Sequence, residues 1–325
     1  MSDYAHNETD KIIRETERLL RKEYAKAIRD VQDKLEKFFS IFRKQDKQMQ
    51  ADVIAGIITQ KEYQEWRIRR LAIGERWEHM KNILATEYTN ANVIAQKIVT
   101  GKEMDVYALN YNFATYMIEK ETRLDTSFAL YNHDAIETLV KKNPDLLPPP
   151  RNDLLTKTAQ AKDYTWNKQI AQSVIMQGIL QGESIDKLAR RLAYEMGDSN
   201  LKRSIRNART MMTAAQNAGR LDSYERAEKL GIKLQKTWVA IMDNRTRHEH
   251  RILNGQTRPV DLPFEVDGYT IMNPGDPNAP GHLVYNCRCT MVSQIQGFER
   301  DVNATRVPGY GNKTYEEWVH EHDNL

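Results

Sequence analysis

Cysteine is almost absent: the chain holds only Cys287 and Cys289, which excludes a disulfide-built scaffold. One residue separates the two, so a bridge between them would close a very small, strained ring, and two reduced thiols are expected instead. Long apolar runs are also missing. No stretch approaches the roughly 18 consecutive apolar residues of a membrane span, so no membrane is expected among the partners. The opening Met1-Ser2-Asp3-Tyr4-Ala5-His6-Asn7-Glu8 is polar and carries no signal-peptide pattern, which predicts a protein acting in the compartment where it is made. There is no Gly-rich phosphate loop, no dinucleotide fingerprint and no Gly-x-Ser-x-Gly elbow. The signatures of the common nucleotide and cofactor enzymes are therefore absent.

What is present is length and charge. The 325 residues suffice for two domains and a sizeable core, and 40% hydrophobic with 29% charged residues is the profile of a helix-rich chain with much solvated surface. The net charge of +3 says little, but its distribution says more: 15 Lys/Arg face 9 Asp/Glu between Glu183 and Arg251, against 5 and 10 from Ile252 onward. A basic middle is compatible with nucleic-acid contact, and equally with ordinary solvated helix faces. Lys202, Arg203, Arg206, Arg209, Arg245 and Arg247 are the candidate contacts to DNA or to a partner.

Apolar periodicity predicts a mainly α fold: a long-helix N-terminal region and a helical middle, followed by a small, loop-rich α+β C-terminal domain. Ile12, Thr16, Leu20, Tyr24, Ile28, Val31, Leu35, Phe38 and Phe42 recur every three or four residues, as on one face of a long amphipathic helix. A second helix is expected from about Lys61 to Thr100, with Gly101 as its end, and others around 106–120 and 122–142. Asn143 to Pro150, with three consecutive prolines, cannot continue a helix. The expected division is 1–142 helical, 143–163 a Pro-rich linker and connector, 164–230 a helical middle and 231–325 the α+β domain. In the middle, Ile185, Leu188, Ala189 and Leu192 follow helical spacing, 197–200 offers a stop and a fresh N-cap, and Ile205, Ala208, Met212, Ala215 and Gly219 form a stripe small enough for close helix packing. The texture changes at Gly231. Residues 232–240 alternate like a strand, and glycine and proline crowd in beyond Leu253. Thr314-Tyr315-Glu316-Glu317 fits a capping box that opens a last helix with Trp318.

One constellation stands apart: Trp238, then Asp243-Asn244-Arg245-Thr246-Arg247-His248-Glu249-His250, then Gly255, and finally Asn286-Cys287-Arg288-Cys289. His250, Cys287 and Cys289, with His282 or His248 nearby in sequence, can supply the nitrogen and sulfur ligands of a structural zinc site, and a loop-rich segment gains folding free energy from such a staple. The other reading is two reduced thiols in a small packed core. His248-Glu249-His250 misses the His-Glu-x-x-His spacing that puts two histidines on one helix face. A metal-dependent nuclease or hydrolase acting on DNA, or Cys287 as a nucleophile with His250 as its base and Asn286 or Asp243 as orienter, are the catalytic alternatives. Arg245 and Arg247 beside Asp243 suit phosphate or partner contact, or an internal network that holds the loop.

Asp243-x-Arg245-Thr246-Arg247-x-x-His250, Gly255 and the closing Asn286-Cys287-Arg288-Cys289 resemble the C-terminal signature of phage minor head proteins, the Mu F-like or SPP1 gp7-like head morphogenesis family. Ala208-Arg209-Thr210, Thr213-Ala214 and Gly219-Arg220 fit the helix that precedes that signature, and the likeness runs from about Tyr164 to Met291. The resemblance implies a structural protein of the virion head, made in the bacterial host cytoplasm, that associates with the portal protein, with other head proteins and with packaged double-stranded DNA. Some relatives are fused to toxin domains such as ADP-ribosyltransferases. No catalytic residue is transferred, and no enzyme is expected.

Overall fold

The computed structural model describes residues 3–71, 75–122, 130–142, 147, 153–296 and 313–322. Of the expected Pro-rich linker, 143–146 and 148–152 lie outside the described residues. The fold is mainly α with a small α+β C-terminal part, as the periodicity predicts. In chain order it has α1 (Tyr4–Ile54), α2 (Gln60–Leu71), α3 (Glu75–Thr122), α4 (His133–Lys142), α5 (Lys157–Leu180), α6 (Ile185–Arg190), a π-helical turn (Arg191–Glu195) and α7 (Met196–Lys229). Then come β1 (Leu234–Val239), α8 (His248–Leu253), β2 (Thr257–Pro259), β3 (Phe264–Val266), β4 (Tyr269–Ile271), α9 (Gly281–Val284), β5 (Thr290–Ile295) and α10 (Tyr315–His322).

The chain folds into two compact units that do not follow chain order. One gathers Met1–Thr16, Val99–Pro150 and Arg206–Leu325; the other holds Glu17–Ile98 and Arg151–Ile205. In the second unit the α1 stripe does what its spacing requires. Val31, Leu35, Phe38, Phe39 and Phe42 are buried against Trp77, Met80, Leu84 and Tyr88 of α3, and against Ala171, Val174, Ile175 and Ile179 of α5. Trp77 sits 5.4 Å from Phe38 and 6.3 Å from Phe39, centroid to centroid. Ser184 caps α6, accepting from the Lys187 backbone N–H at 3.3 Å, which satisfies a donor the helix leaves open.

Two glycines expected as breaks are helical instead. Gly101 lies inside α3. Gly197 lies in the first turn of α7, where a Cβ would come within 2.4 Å of the Ile28 side chain. That residue is small because α1 packs there, not because the helix ends. The change of register falls earlier, in the π-helical turn, a local insertion that helices carry without breaking.

In the first unit β1 is the middle strand of an antiparallel sheet ordered β2-β1-β5, with Lys236 opposite Ser293 and Trp238 opposite Met291. β3 and β4 form a separate hairpin closed by Asp267-Gly268, both at positive φ, the requirement of a tight two-residue turn that matches strand twist. Alternation along β1 buries Leu234, Lys236 and Trp238. The Lys236 ammonium is kept inside by the carbonyls of Val260 (2.8 Å) and Met272 (2.9 Å), and burial lowers its pKa to about 8. The capping box at Thr314 forms: Glu317 accepts from the Thr314 N–H at 2.8 Å, and the Thr314 hydroxyl accepts from the Glu317 N–H. The helix it opens buries Trp318, whose indole N–H donates to Glu119 at 2.7 Å.

Candidate functional site

The site grows from how β5 is held. β5 is an edge strand, and an open edge presents unpaired backbone groups. One face of α7 meets the Met291 carbonyl on that edge and the backbone of the residues leading into the strand. The Thr210 hydroxyl accepts from the Asn286 N–H at 3.2 Å, the Thr213 hydroxyl donates to the Cys287 carbonyl at 2.7 Å, the Asn217 amide donates to the Cys289 carbonyl at 3.2 Å and the Arg220 guanidinium donates to the Met291 carbonyl at 2.9 Å. Steps of three and four residues keep these side chains on one helix face, while the carbonyls of 287, 289 and 291 point the same way because extended backbone alternates. The result is a polar ladder that docks Asn286-Cys287-Arg288-Cys289 on the helix. Thr213, Asn217 and Arg220 are all buried, so each bond matters more than a surface bond would.

Arg220 anchors the far end. It also donates to Asn110 at 3.0 Å and, through both terminal nitrogens, to Asp3 at 2.7 Å. Burial alone would raise the Asp3 carboxyl, but its bonds to Arg220 and the charge of that residue hold it below the ordinary carboxylate range. Gly219 lets α7 approach α3: a Cβ there would lie 2.5 Å from the Tyr107 carbonyl oxygen. Gly275 likewise rests on the Ala214 backbone, where a Cβ would come within 2.8 Å.

The docked segment carries its side chains to opposite sides. Cys287 and Cys289 turn inward, into a small core with Trp238, Leu253, Phe264 and Leu283. Arg288 turns the other way and forms a bidentate pair with Asp243, both bonds 2.8 Å, which holds the Asp243 carboxyl well below the usual range. Asp243 also accepts from the Arg245 N–H at 2.9 Å and the Thr246 hydroxyl at 3.1 Å, so the Asp-x-Arg-Thr turn is a folded loop. Sequence reasoning set Asp243 beside Arg245 and Arg247. Its firm partner is Arg288, and the signal for it was the inward-outward alternation of Cys-Arg-Cys.

His250, on α8, meets the two thiols. Its Nδ1 lies 3.2 Å from Cys289 Sγ and 3.7 Å from Cys287 Sγ, and its Nε2 is 2.8 Å from the Leu283 carbonyl. With Nε2 donating to that carbonyl, the neutral ring keeps its lone pair on Nδ1, facing the sulfurs. All three side chains are about 3% exposed. The Cys289 thiol beside it, then His250, pull the Cys287 thiol well below its ordinary pKa, and Cys289 is raised in turn by Cys287. Burial alone would lower the His250 pKa, but its hydrogen bond to Cys287 raises it. His248 and His282 are both exposed. Among the described residues the metal-competent cluster has three members, His250, Cys287 and Cys289.

The basic candidates are spread. Arg203 is drawn into a buried network, bonded to Asp163 at 2.6 Å and Asn200 at 2.9 Å and lying over the Trp166 ring. Lys202 pairs with Asp198 at the surface. Arg206 is exposed and covers the Tyr285 ring at 5.3 Å, and Arg209 is half-buried. Arg245 is exposed, 3.6 Å from Asp243, while Arg247 donates to the Tyr285 carbonyl.

Both halves of this arrangement, the ladder on α7 and the segment it docks, fall inside one matched region. Residues 168–292 match the family model of the Phage Mu protein F like protein. The Mu F-like region thus starts in α5 and closes within β5, and the resemblance read from the signature residues is borne out. The chain is 26% identical over 319 residues to the minor head protein GP7 of Bacillus phage SPP1, covering 95% of this chain and 93% of that relative. It is 28% identical over 230 residues to the NAD(+)--arginine ADP-ribosyltransferase EFV of Enterococcus faecalis, covering 69% of this chain and 44% of that protein. The chain therefore spans less than half the length of the second relative. No solved structure matches.

Proposed function

We propose that this protein is a minor head protein of a tailed phage, built into the virion head during assembly in the host cytoplasm and bound there to the portal protein, to other head proteins and to packaged DNA. The observation that carries the reading is the end-to-end correspondence with the SPP1 minor head protein, 95% of one chain against 93% of the other. A shared signature alone would leave the helical N-terminal region unexplained; a match along both lengths includes it. Among the described residues no helix is long and apolar enough to cross a membrane. Exposed Lys202, Arg206 and Arg245, with Arg209 and Arg247, are the positions from which phosphates would be met.

The test is co-expression with the portal protein encoded by the same phage or prophage. Co-elution of the two on size exclusion is expected; separate elution at all salt concentrations contradicts the portal contact. DNA contact predicts sequence-independent binding whose affinity falls steeply with salt, with the slope reduced by about one for each phosphate-contacting cation removed. A salt-independent affinity, or none, contradicts it.

The enzyme readings have weaker support. The activity in the name of the ADP-ribosyltransferase relative belongs to a protein of which this chain matches 44%. A nuclease centred on His250 would need a phosphodiester to reach ligands that are about 3% exposed. The nuclease reading requires chelator-sensitive DNA cleavage that disappears in His250→Ala, and the head-protein reading expects no cleavage by either protein.

A further inference from the structure

We infer that His250, Cys287 and Cys289 hold one thiophilic cation, Zn(II), as a structural staple of the Mu F-like segment. Tetrahedral zinc with Zn–S near 2.3 Å and Zn–N near 2.0–2.1 Å places nitrogen and sulfur ligands about 3.6 Å apart. The Nδ1–Sγ separations here are 3.2 and 3.7 Å, and the three ligand atoms all lie within 4.8 Å of one another. A cation between them changes each Nδ1–Sγ distance by no more than a few tenths of an ångström.

The surroundings are those a thiolate–imidazole site requires. A metal-binding histidine typically donates its second ring nitrogen to a carbonyl or carboxylate, which fixes the tautomer and aims the lone pair; His250 does so through Nε2 and Leu283. Thiolate sulfur is stabilised by N–H donors, and the Cys289 N–H lies 3.4 Å from Cys287 Sγ. The buried indole N–H of Trp238, in the same small core as the two thiols, has no acceptor of its own. The backbone that presents the ligands is already clamped by Thr213 and Asn217, so ordering the ligands costs little at the moment of binding.

The ligand set also selects the ion. Two thiolates and one imidazole are soft to borderline donors that suit zinc and disfavour magnesium or calcium. Three protein ligands leave the fourth tetrahedral position to a non-protein ligand such as water. Binding displaces the thiol protons to solvent, up to two for each cation. The role is structural: the segment from 240 to 289 contains two short helices and three strands of three residues, too little regular structure to hold itself, and the site ties α8 to the strand-leading turn at Cys287–Cys289. The inference does not depend on the head-protein reading, because it concerns the isolated chain.

The experiment uses untagged full-length protein expressed with zinc in the medium and kept reduced. Elemental analysis should find about one zinc per chain, falling at least about tenfold in both Cys287→Ser and Cys289→Ser. Because a variant can fail by misfolding, the wild-type protein is also stripped and titrated with Co(II). A sulfur-to-cobalt charge-transfer band saturating near one equivalent is expected, and chelation should speed reaction of the two thiols with a disulfide reagent about tenfold or more. Wild-type protein with no zinc and no cobalt band overturns the inference. Zinc that persists in both cysteine variants overturns it too, as does a site that takes Cu(I) and excludes Zn(II).

Discussion

Phe39 and Cys287 are both buried, yet different chemistry keeps each in place. Phe39 belongs to a core built from periodic stripes on α1, α3 and α5, where aromatic rings meet at 5 to 7 Å, and its own side chain has no polar atom to match. Cys287 sits in a segment whose backbone is held by four side chains of α7 and whose flanking turn is closed by an Asp–Arg pair. Apolar burial is non-directional and tolerates any side chain of the right volume. A ladder of buried hydrogen bonds tolerates only residues with the right donor at the right place. The difference explains why the recognisable signature of the chain lies in its C-terminal part while most of its buried apolar mass lies elsewhere.

Substitutions in either region, followed by hydrogen exchange, report on the two units separately. The largest loss is expected from Phe39→Ala, about 3–5 kcal/mol from the deleted contacts and the cavity left behind, with protection lost in 17–98 and 151–205. Loss centred instead on the segment around Cys287 would contradict the assignment of the core. Arg220→Met should follow at about 3 kcal/mol, since it strands Asp3, Asn110 and the Met291 carbonyl around a site built for a cation, and exchange should rise in β5. Asn217→Leu tests directionality: it keeps volume and loses the bond to Cys289, at about 1–3 kcal/mol. Leu35→Met, a swap of similar volume in the other unit, should cost less than about 1.5 kcal/mol. Equal effects from that pair would remove the contrast.

The smallest expected effect is one of pH. Burial pushes the Glu103 carboxyl up to about 8 from an ordinary 4.5. The folded chain then holds a proton that the unfolded chain has released. This contribution to stability is fully present below 4.5 and is lost as pH rises through about 8. Glu103→Gln should flatten that slope and unfold at higher temperature than the parent at about pH 8. An unchanged pH profile would mean that the carboxyl is charged in the folded state.

The helical part was legible because its signal is repetition. Leu20, Tyr24, Val31, Leu35, Phe38 and Phe42 announce a buried face by spacing alone, and the structure buries all of them. Gly101 and Gly197 misled for a physical reason: glycine marks a helix end only when φ is positive, and neither residue has that conformation. At the candidate site the residue types were legible and the geometry was not. His250, Cys287 and Cys289 were named together, but spacing could not separate them from His248 and His282, which face solvent. Thr210, Thr213 and Arg220 were legible only as members of the helix that precedes the signature, and Asn217 not at all, so the ladder they form together was missed. Their partners are main-chain atoms about 70 residues away, and main-chain partners leave no mark on the sequence.

Quantitative mass spectrometry of purified phage particles, from a culture that expresses the protein, decides whether this chain is a particle component. The chain is expected in mature particles at a few copies each, retained after nuclease treatment and washing. Its absence from both mature particles and procapsids, in a culture where it is abundant, would contradict the head-protein reading.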